Sequence, residues 1–105
     1  MKDYVILMTL TESGAGRLKE LPVLAQAWMD DWAKNCGRLD AFRATLGGLD
    51  FVLLGQAPED EVAASYALRL TMGGLVKTTS LRAFAESSLK RLLQEATNPS
   101  GRGIV

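Results

Sequence analysis

Apolar residues follow two kinds of pattern along this chain. From Tyr4 to Leu10 they are nearly continuous, with Val5, Ile6, Leu7 and Met8 in succession. A short run of β formers like this predicts a strand. Farther on, Leu18, Leu21, Ala25, Trp28 and Trp32 recur at spacings of three and four, which is one face of a helix. Pro22 has no N–H to donate and fits the first turn of that helix, after a separate short turn over residues 14–20. Residues 11–16 read as a loop or a weak helix start. Gly37 supplies the stop.

Arg38 to Leu46 alternates loosely, Gly47-Gly48 marks a tight turn, and Phe51 to Leu54 is a second continuous apolar run. Together they predict a β-hairpin. Pro58-Glu59-Asp60-Glu61 opens another helix, because Pro suits a first turn and carboxylates complement the positive end of the helix dipole. Val62, Ala63, Tyr66, Ala67 and Leu70 form its inner face, and Gly73-Gly74 ends it. Residues 75–84 read as a fourth strand. Residues 87–96 read as a last helix with Leu89, Leu92, Leu93 and Ala96 on one side.

The order strand, helix, strand, strand, helix, strand is the split βαβ arrangement of a ferredoxin-like α+β fold. The expected architecture is therefore βαββαβ with an extra C-terminal helix on a four-stranded antiparallel sheet. Right-handed crossovers put both crossover helices on one face. Successive side chains of a strand point to opposite faces, so the two continuous runs need cover on both. The second face, left bare, would exceed the apolar patch a monomer tolerates. A second copy about a two-fold axis is the simplest cover, and the final helix is the other candidate, as a roof or as a brace on the partner.

Length bounds the chain to one domain. At 105 residues it should bury roughly 65% of its unfolded surface without help from metal or disulfide. Residues 1–96 form the expected domain and residues 97–105, rich in turn formers, a loose tail. Twelve Lys and Arg balance twelve Asp and Glu, which is not the basic footprint of a nucleic-acid binder. The chain has no His, which removes a His-ligated heme, most zinc sites and every Ser-His or Cys-His nucleophile pair. Cys36 is the single cysteine and has no partner for an internal disulfide. The N-terminal run is too short for a membrane helix and lacks a signal-peptide cleavage site. These features point to the cytoplasm.

Around the hairpin turn, Thr45-Leu46-Gly47-Gly48-Leu49-Asp50-Phe51-Val52 resembles the signature of the GYD domain family. Ala57-Pro58-Glu59-Asp60 and Thr78-Thr79-Ser80-Leu81-Arg82-Ala83-Phe84 match it further, in the same order and spacing. Leu49 stands where the namesake tyrosine is expected, so no role of that phenol carries over. The resemblance implies a domain of the dimeric α/β-barrel type found in small bacterial proteins. Related barrels include cofactor-free monooxygenases, heme enzymes and ligand-binding regulatory modules. The missing His disfavours the heme branch.

Asp50 is either a general base or ligand anchor in an inter-subunit cavity, or a turn aspartate that satisfies backbone N–H groups of the hairpin. Thr78, Ser80 and Arg82 share one strand face by their period-two spacing. They line a polar pocket in which Arg82 captures a carboxylate or phosphate, or else Arg82 makes a rim salt bridge, with Asp50 as a candidate partner. The Gly14–Gly16 loop lacks the glycines and lysine of a phosphate cradle and reads as a connector. Trp28 and Trp32 read as core rather than a stacking platform. Cys36, at a helix C-terminus, reads as inert. Glu59-Asp60-Glu61 reads as helix-start electrostatics, since successive carboxylates on a helix do not converge on a metal.

The expected function is that of a homo-oligomeric binding or accessory protein with a small-molecule cavity, needing no cofactor or metal and binding neither nucleic acid nor membrane. Two alternatives stand beside it. One is a cofactor-independent enzyme, monooxygenase or isomerase-like, with Asp50 as base and Arg82 stabilising an anion. The other is a purely structural assembly module.

Overall fold

The computed structural model describes residues 1–98. The tail expected over 97–105 therefore lies almost wholly outside the described residues. The elements are β1 (Lys2–Leu10), α1 (Glu12–Ala15), a 3-10 turn (Leu18–Glu20), α2 (Leu21–Asn35), β2 (Arg38–Ala44), β3 (Phe51–Ala57), α3 (Asp60–Met72), β4 (Val76–Ala83) and α4 (Glu86–Thr97). The sheet order is β2-β3-β1-β4, with each neighbouring pair antiparallel. Each long crossover skips one strand, so the fold is the expected ferredoxin-like α+β arrangement.

Local chemistry explains most boundaries. Thr11 caps the one-turn helix α1 by accepting the Gly14 N–H at 3.1 Å. The sequence reads as a loop or a weak helix start here, and the Thr11 cap resolves it as one helical turn. Pro22 sits in the first turn of α2. Gly47 adopts φ +119°, a backbone state open to glycine, and lets the hairpin reverse. The strand expected to end at Leu54 continues through Ala57, because Gly55 and Gln56 keep the ladder with β1 and β2. A register shift between Leu39 and Ala41 marks a bulge in β2.

The core lies between α2, α3 and one sheet face. Tyr4, Ile6 and Met8 of β1, Leu53 of β3 and Val76 of β4 point into it, beneath Trp32 of α2 and Tyr66 and Leu70 of α3. Trp32 is fully buried, and its indole N–H donates to the Arg38 carbonyl at 2.9 Å. It packs edge-on against Tyr66 and Tyr4 at ring separations of 5.0 and 6.4 Å. The indole lies directly over Gly55, where an added Cβ would overlap it.

The alternate residues face away from both helices. Val5 and Leu7 of β1 and Val52 of β3 are half-buried, while Leu54 and Leu81 are 39% and 45% exposed. The register sets Val5 between Leu54 and Leu81. The final helix does not roof this face, contrary to one of the two covers expected. Helix α4 buries no residue and packs extensively on no other element, so the molecule stretches to 55 Å along its long axis.

Gly55→Ala should cost about 1–3 kcal/mol, since it forces a methyl into a packed indole. Trp32→Ala should cost about 3–5 kcal/mol. Gly48→Ala adds its methyl to open space and should stay within about 0.5 kcal/mol of the parent. Urea denaturation measures all three.

Candidate functional site

Helix α3 carries Asp60, Ala64, Ala67 and Thr71 at spacings of three and four, so they form one stripe along its length. Strand β4 presents Thr78, Ser80 and Arg82 to the same layer as Met8, Ile6 and Tyr4, its partners on β1. The helix runs antiparallel to β4, so Asp60 meets Arg82 at one end and Thr71 meets Thr78 at the other. Small side chains between these ends leave a groove of about 520 Å³. Its α3 wall is Ala63, Ala64, Ala67 and Leu68, and its β4 wall is Thr78, Ser80 and Arg82.

The end at Asp60 and Arg82 is polar. The buried Tyr4 phenol donates to Asp60 Oδ1 at 2.5 Å. Arg82 Nη1 lies 3.8 Å from the same oxygen, too far for a tight charge-assisted hydrogen bond. The Arg82 guanidinium also stands 5.1 Å from the centre of the Phe84 ring. Burial, reinforced by the Asp60 carboxylate, pushes the Tyr4 phenol up to about 12. The Tyr4 hydrogen bond, with Lys2 and Arg82 nearby, holds the Asp60 carboxyl below the usual carboxylate range. At the other end the Thr71 and Thr78 hydroxyls meet at 3.0 Å, and Thr71 also donates to the Ala67 carbonyl. The Ser80 hydroxyl makes no hydrogen bond among the described residues.

The three residues singled out by period-two spacing thus line one groove. Asp50 does not. Its carboxylate accepts the Leu10 N–H at 2.7 Å, and its own N–H donates to the Met8 carbonyl. It ties the hairpin turn to the end of β1. Arg82 pairs with Tyr4, six residues back along that strand, or roughly 20 Å away. The rim salt bridge expected of Arg82 exists, but its partner is Asp60 rather than Asp50. One chain therefore does not assemble a base at Asp50 with an anion stabiliser at Arg82.

Sequence reasoning missed Tyr4 and underrated Asp60. Tyr4 reads as one more apolar residue of a strand, and Asp60 as one of three helix-start carboxylates. Only the pairing of β1 with β4 brings them to Arg82.

A second polar cluster stabilises the opposite helix pair. Arg69 of α3 holds Asp31 of α2 by two bonds of 2.8 and 3.1 Å. It also lies 3.6 Å from the Cys36 sulfur. Burial pushes that thiol up, against the pull of Arg69, which leaves it poorly nucleophilic. Among the described residues no three His, Cys, Asp or Glu side chains are grouped as a metal would need.

The sequence model of the GYD domain family matches residues 4–93. A Thermus thermophilus protein named glutamine synthetase and cystathionine beta-lyase binding protein is 32% identical over 90 residues, covering 85% of this chain and 95% of that protein. No solved structure matches the chain at a significant level. No helix among the described residues is long and apolar enough to cross a membrane.

Both tyrosines of the chain, Tyr4 and Tyr66, are buried, and burial raises each phenol above its ordinary value. A raised phenol favours the neutral form in the folded state. Its contribution is full below the unfolded value of about 10 and is lost as pH climbs toward about 12. Absorbance titration should therefore show almost no phenolate in the folded chain at about pH 10, where half appears in denaturant. Asp50→Ala should lower stability by about 1 kcal/mol by orphaning the Leu10 N–H, as read from the urea midpoint.

Proposed function

The chain belongs to the GYD domain family, and from that membership we propose that it is a cytoplasmic accessory protein. In this reading it pairs with itself through its open sheet face, docks on other proteins, and takes a small organic ligand in the α3–β4 groove.

The observation that carries the proposal is the uncovered apolar sheet face, with Val5, Leu7, Val52, Leu54 and Leu81 in one patch. Four strands spaced by about 4.8 Å and about 25 Å long project roughly 500 Å². A stable interface takes about 800 Å² from each partner. The sheet face alone falls short of that, and α4 supplies the remainder. Its Leu89 and Leu93 are each more than half exposed, and the helix buries no residue against its own chain. Helix α4 then acts as an arm that braces the second copy. Docking on other proteins is supported by the Thermus relative, whose name records binding to two enzymes.

Light scattering or sedimentation at low micromolar concentration should give twice the chain mass of 11.4 kDa. Leu54→Lys sets a charge in the centre of the patch and should weaken pairing by a hundredfold or more, a cost of about 3 kcal/mol. A parent chain that stays monomeric and well folded, with this face wet, would overturn the self-pairing.

A further inference from the structure

The charges at the Asp60–Arg82 end of the groove define what it takes. Asp60 is the one acidic residue in the lining and Arg82 the one basic residue. They stand side by side, yet neither satisfies the other. The contact is a single 3.8 Å approach, Asp60 Oδ1 is already engaged by Tyr4, and Asp60 Oδ2 has no partner among the described residues. Arg82 makes no hydrogen bond to any described residue, so its planar fork of donors is unclaimed by the protein. Its ring contact with Phe84 holds the guanidinium without using those donors.

A ligand with a lone carboxylate would gain from Arg82 but sit against the Asp60 charge. A lone amine would gain from Asp60 and be repelled by Arg82. A head group bearing an ammonium and a carboxylate on one carbon meets each with its complement. Beyond the head, Ala64, Ala67 and Leu68 offer an apolar track toward the Thr71–Thr78 hydroxyls. We infer that the groove between α3 and β4 binds a free α-amino acid with an aliphatic side chain. Its carboxylate lies on Arg82, its ammonium on Asp60 Oδ2, and its side chain lies along the alanines of α3. Tyr4 acts as a positioning residue, holding the Asp60 carboxylate ionised and turned to the mouth. The inference deepens the ligand-groove part of the proposed function and rests on that part alone, not on self-pairing.

NMR titration of the full chain tests it, with L-leucine and L-methionine as probes. Isocaproate, which lacks the ammonium, and isoamylamine, which lacks the carboxylate, serve as matched controls. Backbone signals of Ala64, Thr78, Ser80 and Arg82 should shift and saturate with an amino acid. Each control should bind at least tenfold more weakly, because each leaves one charge-assisted contact unmade. Arg82→Met and Asp60→Asn should each weaken leucine binding tenfold or more. Ala64→Leu fills the groove from an exposed position and should abolish it with the thermal midpoint unchanged, which keeps the test decisive if Asp60→Asn disturbs the fold. The inference is overturned if no probe shifts these signals in the millimolar range. Equal binding of isocaproate and leucine, or unchanged binding in Arg82→Met and Ala64→Leu, would sink it as well. Mass measured on the same samples reports self-pairing separately, so failure of one reading is not mistaken for failure of the other.

Discussion

The indole of Trp32 reaches the sheet because position 55 has no side chain, and the rest of the structure is arranged around that contact. Gly55 pairs with Tyr4 on one side and Leu39 on the other, so the indole sits above three strands at once. Its N–H closes on the Arg38 carbonyl where α2 turns into β2. Its edges meet Tyr66 of α3 and Tyr4 of β1, and the Tyr66 hydroxyl returns to the Trp28 carbonyl of α2. Both crossover helices are thereby fixed to each other and to the central strands. The same packing fixes Tyr4, whose hydroxyl carries this order out to Asp60 and so to the groove. The groove is shaped by rigid neighbours at its Tyr4 end and by small side chains along its length.

Two surfaces of different character result from one sheet. The face toward the helices is filled by aromatic and aliphatic side chains, and its β4 margin, where α3 offers alanine, is left open as the groove. The other face carries apolar side chains and no helix of its own. The groove and the bare face share β4, with residues 78, 80 and 82 turned one way and residues 79 and 81 the other. A ligand in the groove and a second copy on the bare face, as proposed, would therefore act on the same edge strand. This edge is the route by which one could influence the other.

Much of this was legible in the sequence. Continuous apolar runs at Val5–Met8 and Phe51–Leu54 told of strands with apolar residues on both faces, and the structure shows such residues on both. Period-two spacing placed Thr78, Ser80 and Arg82 together, as found. The extension of β3 was hidden because Gly55 and Gln56 break the apolar pattern, and Gly55 is there for the indole rather than for the strand. Asp50 looked chemical because it follows a Gly-Gly turn. The structure uses its carboxylate on the Leu10 N–H, a need visible only once β1 and the hairpin are side by side. Asp60 looked electrostatic and proved to be a partner for two side chains distant in sequence. What sequence patterns left out are the pairings across strands that no spacing along the chain encodes.

Helix α4 has twelve residues, buries none of them and packs extensively on no other element. A helix of that length is marginal in water by itself, because nucleation is costly and few backbone bonds repay it. An apolar surface that covers its exposed leucines would therefore add much of the stability this helix lacks alone. A segment of this kind gives up conformational entropy when it engages, which tempers affinity and makes release easy. Attachment through α4 would then be readily reversed and exchanged, while the sheet and its two crossover helices stay unaltered.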